Sequence, residues 1–354
     1  MFQMNCKLYF CVAGFLLASS MHVASIAQTL DDLTFGTESA LEIATWNIEW
    51  FPKAGETTIN AVSDVIEAIE IDVWAIQEID DTTAFTSMVN ELEGYEYILM
   101  DGWFGGLVYV YNAATIEVID TYEIYTESPF WSPLPRSPLV LHFEHNGLDY
   151  HAINNHYKCC GNGTIEWEDD GDEEMRRLEA STLIETYVAE NLPDERVIVL
   201  GDLNDLIDEP ASSNVFQPFT DAPESYLFTD LDIAMGSSNG WSFPNWPSHL
   251  DHILITNELF DAWEGEGSLV ETIDIAMHLP GGWWEYDQTM SDHRPVALRL
   301  SSPSNTVLQL GEKTPSQLMQ ITDCIGRVVS ESPGQILLYH YSDGTVIKRW
   351  FIGN

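Results

Sequence analysis

The sequence predicts an α/β fold of layered sheets, and three features of its pattern indicate this class. Short apolar runs typical of buried strands recur between residues 41 and 301. Only two long segments between these runs show the helical spacing of apolar residues, which argues against a regular βαβ repeat. Hydrophobic residues make up 45% of the 354-residue chain, so it can bury a sizeable core.

The first predicted elements are a strand, a helix and four further strands. Residues 41–48 are apolar enough for a buried strand. Residues 57–69 carry apolar side chains at helical spacing and predict a helix. The strands that follow are predicted at 72–76, 105–111, 139–143 and 150–154.

The second half of this region combines one long helix with three strands. Residues 173–191 predict a helix whose first turn carries acids that suit the helix dipole. Two long loops rich in Trp, Pro and Gly, at 127–138 and 236–250, are expected to carry the binding surface. The strands are predicted at 197–200, 253–256 and 296–300.

Residues 1–27 have the pattern of a secretory signal peptide. Lys7 supplies the positive charge, residues 8–17 supply the apolar run, and small residues precede a cut after Ala27. The alternative is a retained anchor, although the run is short for a membrane span. Residues 28–40 then form a short lead-in, and the mature chain is expected outside the cell or on its surface.

A domain boundary is predicted near residues 301–305, which are rich in Ser and contain Pro and Asn. It separates a large domain at 41–301 from a C-terminal part at 302–354. Short β-like segments in the C-terminal part predict a small β-sandwich. The segments lie at 307–310, 317–322, 327–330, 335–341 and 346–352.

The chain is strongly acidic, with a net charge of −44 from 57 acidic and 13 basic residues. Such a surface repels polyanions, and the sequence has no basic run of the kind that grips duplex DNA. Two explanations stay open. One is adaptation of an exported protein to salty water, where ions screen the repulsion, and the other is a substrate smaller than long duplex DNA.

Three cysteines remain once the signal peptide is removed: Cys159, Cys160 and Cys324. This odd number argues against a disulfide framework. The adjacent Cys159 and Cys160 either form a strained vicinal bridge or stay reduced, and we expect two buried or partly buried thiols.

Residues 166–174 contain seven acids in nine positions. A solvated acidic loop and a calcium-binding loop both fit this composition. We expect the solvated loop, because the spacing of the acids matches no calcium-binding motif.

Six polar clusters lie where predicted buried strands end or begin. Each alone is typical of a surface turn, but six such arrangements in one chain indicate a shared site. The clusters are Asn47, Gln77-Glu78, residues 154–158, residues 201–205, residues 249–253 and Asp292-His293.

The residue types in these clusters suit metal-assisted cleavage of phosphate esters. Glu78 ends a buried strand, where a carboxylate needs a partner such as a hard divalent cation. Asp202 and Asn204 are two apart after a strand, so they can converge on one ligand. Asp251 can pair with a histidine and hold its tautomer and charge. His156 can donate to a phosphate oxygen.

These residues, taken in order, resemble the motifs of the endonuclease/exonuclease/phosphatase superfamily over residues 41–301. That superfamily includes deoxyribonuclease I, exonuclease III-type abasic endonucleases, neutral sphingomyelinases and inositol polyphosphate 5-phosphatases. The resemblance implies a four-layered α/β sandwich of two packed mixed sheets, with a magnesium or manganese site at one edge. Calcium is an alternative ion. The matching residues are Asn47, Gln77-Glu78, His156, Gly201-Asp202-Leu203-Asn204, Asp251 and Ser291-Asp292-His293.

The resemblance implies a role for each matched residue. Glu78 resembles the principal metal ligand, and Asn47 and Asp292 resemble assisting ligands. Asp202 resembles the group that orients or deprotonates the attacking water.

The other matched residues would act on the phosphate. Asn204 would hold a non-bridging oxygen, and His156 would contact the phosphate or the leaving group. His293, paired with Asp251, would stabilise the developing charge or supply a proton. Asn47 is a further candidate substrate contact, and Lys158 would add positive charge beside His156 in an otherwise acidic chain.

The C-terminal part resembles the sorting domain of type IX secretion in Bacteroidota. Residues 321–329 and the Lys348-Arg349 pair carry this resemblance. It implies that the type IX machinery exports the chain across the outer membrane, and it allows for removal of the tail.

The sequence therefore predicts a secreted, monomeric, metal-dependent phosphodiesterase, with an extracellular nuclease as the first interpretation. The alternatives are a phosphatase, a sphingomyelinase- or phospholipase C-like phosphodiesterase and, in another class, an inactive binding module on the same fold. Loop tryptophans suit base stacking or a lipid interface, although we expect at least half of them to belong to the core. They are Trp131, Trp241, Trp246, Trp283 and Trp284.

Overall fold

The computed structural model describes residues 29–30, 33–37, 39–100, 106–301, 318–323, 327, 329, 335–341 and 346–351. The chain divides into two units, one ending at Ser301 and the other beginning at Ser302. The predicted signal peptide, Cys324 and the predicted strand at 307–310 lie outside the described residues. In the part of the chain that is described, no helix is both long enough and apolar enough to cross a membrane.

Two six-stranded mixed sheets form the first unit. Its strands are β1 (Leu41–Phe51), β2 (Val73–Ile79), β3 (Tyr95–Leu99), β4 (Gly106–Asn112), β5 (Ile116–Glu123), β6 (Leu139–His145), β7 (Leu148–His156), β8 (Val197–Asp202), β9 (Tyr226–Phe228), β10 (Asp251–Thr256), β11 (Leu269–Thr272) and β12 (Val296–Leu300). Sheet 1 has the order β11-β12-β1-β2-β4-β3, and sheet 2 has the order β5-β6-β7-β8-β10-β9.

The helices connect these strands. They are α1 (Glu56–Ile69), α2 (Thr82–Val89), α3 (Glu173–Asn191), α4 (Gln217–Thr220), α5 (Leu231–Ala234), α6 (Phe260–Trp263) and α7 (Gly282–Thr289). Short 3-10 helices lie at Ser238–Gly240, Asn257–Leu259 and Ile275–His278.

Three apolar cores separate four layers, which confirms the predicted four-layered sandwich. One core packs α1, α2 and α7 on the outer face of sheet 1. A second lies between the two sheets, and a third packs α3 and α4 on the outer face of sheet 2. Because strand side chains alternate, β1 serves two cores: Ala44, Trp46 and Ile48 face the helices, whereas Leu41 and Ile43 face sheet 2. Each fully buried large aliphatic side chain contributes about 1.5–3 kcal/mol.

Most of the long elements follow the sequence pattern, and the short ones do not. The helix predicted at 173–191 has those bounds in the structure. The sequence pattern missed α2, in which only three residues are buried, and β5, which lies half-exposed at a sheet edge. It also missed β3, β9, β11, α7 and the one-turn helices, which are too short for periodicity to reveal.

The acidic segment at 166–174 is part solvated loop and part structural. Residues 168–171 are exposed. Asp172 caps α3 by accepting a hydrogen bond from the Met175 amide at 2.8 Å, and buried Glu174 accepts one from the Gly163 amide.

Parallel strand pairs bring the polar clusters to one edge of each sheet. β1 and β2 are parallel neighbours, with Asn47 opposite Gln77. β7 and β8 are also parallel, with His156 opposite Asp202. Antiparallel β10 begins here and places Asp251 opposite Asp202. We call this the site edge.

Gly201 permits the close approach of β7 and β8 at the site edge. Its φ is +147°, and a Cβ at this position would lie 2.0 Å from the Asn155 carbonyl oxygen. A side chain here would push apart the strands that carry His156 and Asp202. Glycine, which has no Cβ, therefore fits this position where a larger residue would not.

The second unit contains β13 (Leu318–Asp323), β14 (Gln335–Tyr341) and β15 (Val346–Phe351). They form one antiparallel sheet in the order β13-β14-β15. The second sheet that a sandwich requires is not among the described residues.

Two buried carboxyl groups lie close together near the start of β1. Glu42 accepts a hydrogen bond from the Thr37 hydroxyl at 2.7 Å, and the Glu42 amide donates to Asp72 at 3.0 Å. Burial, together with the neighbouring Asp72 carboxylate, raises the pKa of Glu42 from 4.5 to about 7, even though the Thr37 hydrogen bond lowers it. Glu42 therefore keeps its proton in the folded chain at pH values where the unfolded chain loses it.

The folded chain should lose stability as pH rises through this window. Between about pH 4.5 and 7 the folded state binds the Glu42 proton and the unfolded state does not, so unfolding releases a proton. One proton sets a ceiling of about 1.4 kcal/mol per pH unit on this slope. Glu42→Gln should flatten the slope in urea unfolding, because Gln can donate to Asp72 at every pH. Glu117→Gln, at an exposed position, is the control. An unchanged slope in Glu42→Gln would contradict the assignment.

Candidate active site

Six of the predicted site residues meet at the site edge, joined by hydrogen bonds or by contacts of less than 4 Å between a histidine nitrogen and a carboxylate oxygen. They come from both sheets and from the loop before β12. We call this set the linked cluster: Asn47, Glu78, His156, Asp202, Asp251 and His293.

Asn47 joins the two sheets. Its Nδ2 donates to Glu78 Oε1 at 3.1 Å within sheet 1 and to Asp202 Oδ2 at 2.9 Å in sheet 2. Its Oδ1 accepts from the Glu49 amide at 2.9 Å, which holds the amide plane in place. Both donor hydrogens of one buried side chain are therefore used to position two carboxylates.

Glu78 is held in an uncommon backbone conformation, with φ at +66°. Its Oε2 is buried and has no hydrogen-bond partner among the described residues. An unpaired buried carboxylate oxygen is costly, and a hard cation would satisfy it.

Asp292 and Glu49 add negative charge beside His293 of the linked cluster. The Asp292 amide donates to Glu49 Oε2 at 3.0 Å, and Lys53 pairs with the same Glu49 oxygen. Burial and the Glu49 charge raise the pKa of Asp292 to about 6, against the attraction of His293. Carboxylate and amide oxygens of Glu78, Asp292 and Asn47 are hard ligands, so this donor set fits magnesium, manganese or calcium.

Asp202 is fully buried between the other groups. Burial raises its pKa to about 7, and the Asp251 and Glu78 charges act in the same direction. The charge of His293 and the hydrogen bond from Asn47 oppose this rise. A carboxylate with a pKa near neutral is suited to accept a proton from water.

His293 is held charged by Asp251. Its Nδ1 lies 2.7 Å from Asp251 Oδ2, and its Nε2 lies 3.8 Å from Asp202 and 3.9 Å from Asp292. Burial alone would lower its pKa, but the Asp251 and Asp202 charges and the Asp251 hydrogen bond raise it to about 10. Asp202, Asp251 and His293 also lie close enough to share an ion, yet the short His293–Asp251 hydrogen bond already occupies two of these groups.

His156 is the neutral histidine of the linked cluster. Its Nε2 lies 3.5 Å from Asp202 and 3.7 Å from Glu78. Burial, reinforced by the positive charges of Arg136 and His293, lowers its pKa well below the usual range. The cluster thus holds one charged and one neutral imidazole.

Asn204 and Lys158 lie beside the linked cluster without joining it through their side chains. Asn204 Nδ2 donates to the Tyr157 carbonyl at 3.3 Å, and its amide donates to Asp202 Oδ1 at 3.1 Å. Lys158 Nζ donates to the Cys159 carbonyl at 2.9 Å. Cys159 and Cys160 are both exposed, so the expectation of buried or partly buried thiols was wrong.

The histidines of the cluster at 249–253 are structural. His249 Nε2 and His252 Nδ1 lie 3.0 and 2.6 Å from buried Asp230, and His252 Nε2 lies 2.9 Å from the Asp205 carbonyl. A carbonyl and a carboxylate both accept, so His252 donates from both nitrogens and is charged, in line with a pKa raised by Asp230 against burial. Only Asp251 of this segment joins the site.

Several site residues were missed in the sequence. Glu49 and Lys53 form an i,i+4 ion pair just after Asn47, and this spacing was a usable signal. The Phe243 ring packs 4.7 Å from the His293 ring, a contact that the sequence does not show.

Arg136 completes this missed set, and Ser291, which was among the matched residues, links β1 to the loop of His293. The Ser291 hydroxyl donates to the Asn47 carbonyl at 2.6 Å and accepts from the His293 amide at 2.9 Å. Arg136 lies close enough to influence the pKa of His156, and its buried Nε has no hydrogen-bond partner among the described residues.

Three of the five loop tryptophans are exposed, so the expectation that at least half of them belong to the core was wrong. Trp131, Trp246 and Trp284 are exposed, with 59%, 76% and 72% of their surface accessible. Trp241 and Trp283 are half-buried. Trp283 packs against the core on the outer face of sheet 1 and donates from Nε1 to Asn245, whereas Trp241 Nε1 donates to the Ile233 carbonyl.

The sequence profile of the Endonuclease/Exonuclease/phosphatase family matches residues 44–293. No curated protein matches the chain in sequence.

Solved structures with a similar fold have low sequence identity to this chain. D. rerio TDP2 in complex with a single-strand DNA product has a TM-score of 0.55 and 13% identity, covering 75% of this chain and 100% of its own. The human Nocturnin catalytic domain with bound sulfate has a TM-score of 0.54 and 15% identity, covering 74% and 94%. An endonuclease/exonuclease/phosphatase from Bacteroides vulgatus has a TM-score of 0.51 and 16% identity, covering 75% and 99%.

Metal binding should stabilise the folded chain. Magnesium or manganese at a free concentration 100 times its Kd should add about 2.7 kcal/mol, seen as a higher thermal unfolding midpoint. Glu78→Gln should lose most of this gain, because Gln keeps the shape but not the charge of the unpaired carboxylate. Glu117→Gln, on the exposed face of β5, should behave as the wild-type chain. Equal metal-induced shifts in Glu78→Gln and the wild-type chain would rule out Glu78 as the main ligand.

Proposed function

The chain belongs to the Endonuclease/Exonuclease/phosphatase family and is a metal-dependent phosphoric ester hydrolase, and from this premise we propose that it is a secreted nuclease that cleaves phosphodiester bonds. One observation carries the proposal. Fully buried Asp202, with a pKa of about 7, lies within 4 Å of a histidine that Asp251 holds charged, so a proton acceptor and a positive charge face one another.

The residues of the linked cluster divide the work of hydrolysis. Asp202 accepts the proton of the attacking water, since its pKa suits a base at neutral pH. His293 stabilises the negative charge that grows on the phosphate, and Asp251 keeps that imidazole charged and oriented. His156, being neutral, can donate a hydrogen bond to the phosphate or the leaving group.

The remaining residues bind the phosphate and the metal. Glu78, Asp292 and Asn47 would hold a divalent ion, which polarises the phosphate and offsets its charge when bound. Asn204 would hold a non-bridging oxygen. Lys158 would contact the substrate after leaving the Cys159 carbonyl.

Nucleic acid is the proposed substrate, despite the −44 charge. Exposed Trp246 and Trp284 offer faces on which bases can stack, and stacking does not depend on a basic surface. The fold similarity to D. rerio TDP2 in complex with a single-strand DNA product is consistent with this substrate. The same tryptophans also suit a lipid interface, so a phospholipase C-like activity is the alternative.

Export is part of the proposal and rests on the sequence. The segment at 1–27 would direct the chain into the secretory route, and residues 302–354 would engage the type IX machinery at the outer membrane. We further propose that the exported enzyme is a monomer.

Activity on a panel of substrates tests the proposal. With magnesium, the purified chain should cleave DNA or RNA and bis-p-nitrophenyl phosphate, and EDTA should abolish cleavage. Glu78→Ala and His293→Ala should each lower kcat by about 100-fold or more, while circular dichroism stays unchanged. His278→Ala is the control, since that side chain lies outside the linked cluster and contacts the Thr29 carbonyl.

The other outcomes of that panel separate the rival functions. Cleavage of sphingomyelin without cleavage of nucleic acid would favour the lipid phosphodiesterase. Release of phosphate from monoesters alone would indicate a phosphatase. No turnover on any substrate, with or without metal, would leave the inactive binding module.

Arg136 should contribute to substrate binding. Its positive charge helps lower the pKa of His156, and its buried Nε has no hydrogen-bond partner among the described residues, so it can pair with an entering phosphate. Arg136→Ala should raise KM for DNA about tenfold and change kcat little, measured in steady-state kinetics at fixed salt. Arg196→Ala removes an arginine that packs on Tyr150 and should leave KM unchanged. An unaltered KM in Arg136→Ala would exclude this contact.

A further inference from the structure

Two adjacent free thiols lie on the loop that follows β7. Cys159 and Cys160 are both exposed, and their sulfur atoms are 3.1 Å apart. Cys160 has a φ of +74°, a backbone conformation that is uncommon for a residue other than glycine. The mechanism proposed above uses neither sulfur.

The two sulfurs are chemically different. The Cys160 thiol donates a hydrogen bond to Cys159 Sγ, and the Lys158 ammonium lies 3.6 Å from the same sulfur. The hydrogen bond with Cys159, with burial, raises the pKa of the Cys160 thiol. Cys159 Sγ thus faces both the Cys160 thiol hydrogen and the Lys158 ammonium, and we assign it as the attacking sulfur of the pair.

Hydrogen bonds of a buried arginine connect the thiol pair to the site. Buried Arg177 donates from Nη1 to the carbonyls of Lys158 and Cys160, at 2.7 and 2.8 Å. Its Nε donates to Asp205 Oδ2 at 2.7 Å. Asp205 directly follows Asn204, so one guanidinium ties the thiol loop to the loop that carries Asp202 and Asn204.

We propose that Cys159 and Cys160 form a thiol–disulfide exchange site that reacts with low-molecular-weight disulfides and links the redox state of the surroundings to the site edge. The Cys159 thiolate attacks one sulfur of a disulfide RSSR, forming a Cys159–SR mixed disulfide and releasing RS⁻. Cys160 loses its proton and its sulfur attacks Cys159 Sγ. The Cys159–Cys160 bond forms and the second RS⁻ leaves, so two thiols are oxidised and one RSSR is reduced to two RSH.

Adjacency makes this bond reversible. Consecutive Cα atoms are about 3.8 Å apart across a trans peptide, whereas unstrained disulfides span about 4.4–6.8 Å. A bridge between neighbours is therefore strained and easily reduced. Such a pair suits a switch better than a structural bridge.

Oxidation should act on the site through backbone geometry. Closing the ring changes the Cys159–Cys160 peptide, and Arg177 binds the carbonyls on both sides of Cys159. Ring closure also converts the Cys159 thiol that Lys158 contacts into a disulfide sulfur, and we place Lys158 among the substrate contacts. The expected effect on activity rests on the proposed function, whereas the exchange chemistry does not.

Peptide mapping tests the exchange site without reference to activity. The reduced full chain is incubated with oxidised glutathione, alkylated and digested with trypsin, which cuts after Lys158 and after Arg176 and leaves both cysteines in one peptide. The expected product is that peptide lighter by two hydrogens and resistant to alkylation. A peptide that stays fully alkylated, or that holds only stable glutathione adducts, would overturn the proposal.

Single substitutions test the assigned order of the sulfurs. Cys160→Ser should accumulate glutathione on Cys159, because the resolving sulfur is absent. Cys159→Ser should react at least several-fold more slowly at Cys160, and Lys158→Met should slow the reaction of Cys159. Equal rates for Cys160→Ser and Cys159→Ser, followed on the peptide cut after Lys158 and Arg176, would refute the asymmetry between Cys159 and Cys160.

Activity then tests the link to the site edge. Oxidation should lower kcat/KM for bis-p-nitrophenyl phosphate several-fold, dithiothreitol should restore it, and Cys159→Ser/Cys160→Ser should be insensitive to both. Equal activity of the oxidised and reduced chains would refute the link. If neither form is active, the proposed function fails, and peptide mapping still decides the exchange site.

Discussion

The burial of Asp202 between two sheets is the constraint on which the site depends. A carboxylate with 1% of its surface exposed needs compensation, and no single strand supplies it. Sheet 1 contributes the amide of Asn47, sheet 2 contributes His156, and the loop before β12 contributes His293. The contacts to Asp202 thus fix the relative position of the two sheets at the site itself. A shift of either sheet would leave a buried charge unpaired.

The same arrangement requires a strained backbone around the site. Glu78 and Asn204 have positive φ angles, and Gly201 occupies a conformation in which a Cβ would clash with β7. Residues in such conformations persist only where surrounding contacts hold them, and they concentrate at functional sites. Here the hydrogen bonds of Asn47 and the ladder between β7 and β8 supply those contacts.

Acidic residues have different effects inside and outside the site. Five acidic side chains of the site have only Lys53 and His293 as charged partners in the described contacts: Glu49, Glu78, Asp202, Asp251 and Asp292. The site therefore has a local excess of negative charge that suits a divalent ion. The whole chain has a net charge of −44, and outside the site this acidity repels polyanions at low salt. A nucleic acid can still pair with the positive charge of Arg136 and stack on the exposed tryptophans despite this repulsion.

The sequence by itself determined the α/β class, the long elements and the residue types of the site. Apolar runs and helical spacing follow from which side chains are buried, so α3 and the central strands were predictable. The polar residues Asn47, Glu78 and Asp202 were recognisable because they lie at the ends of such strands. Only the tertiary structure decided that Asn47 bridges the sheets, that His249 and His252 bind Asp230 instead of joining the site, and that Cys159 and Cys160 are exposed. These outcomes depend on contacts between residues far apart in the chain, and local pattern carries no record of which distant group a side chain will meet.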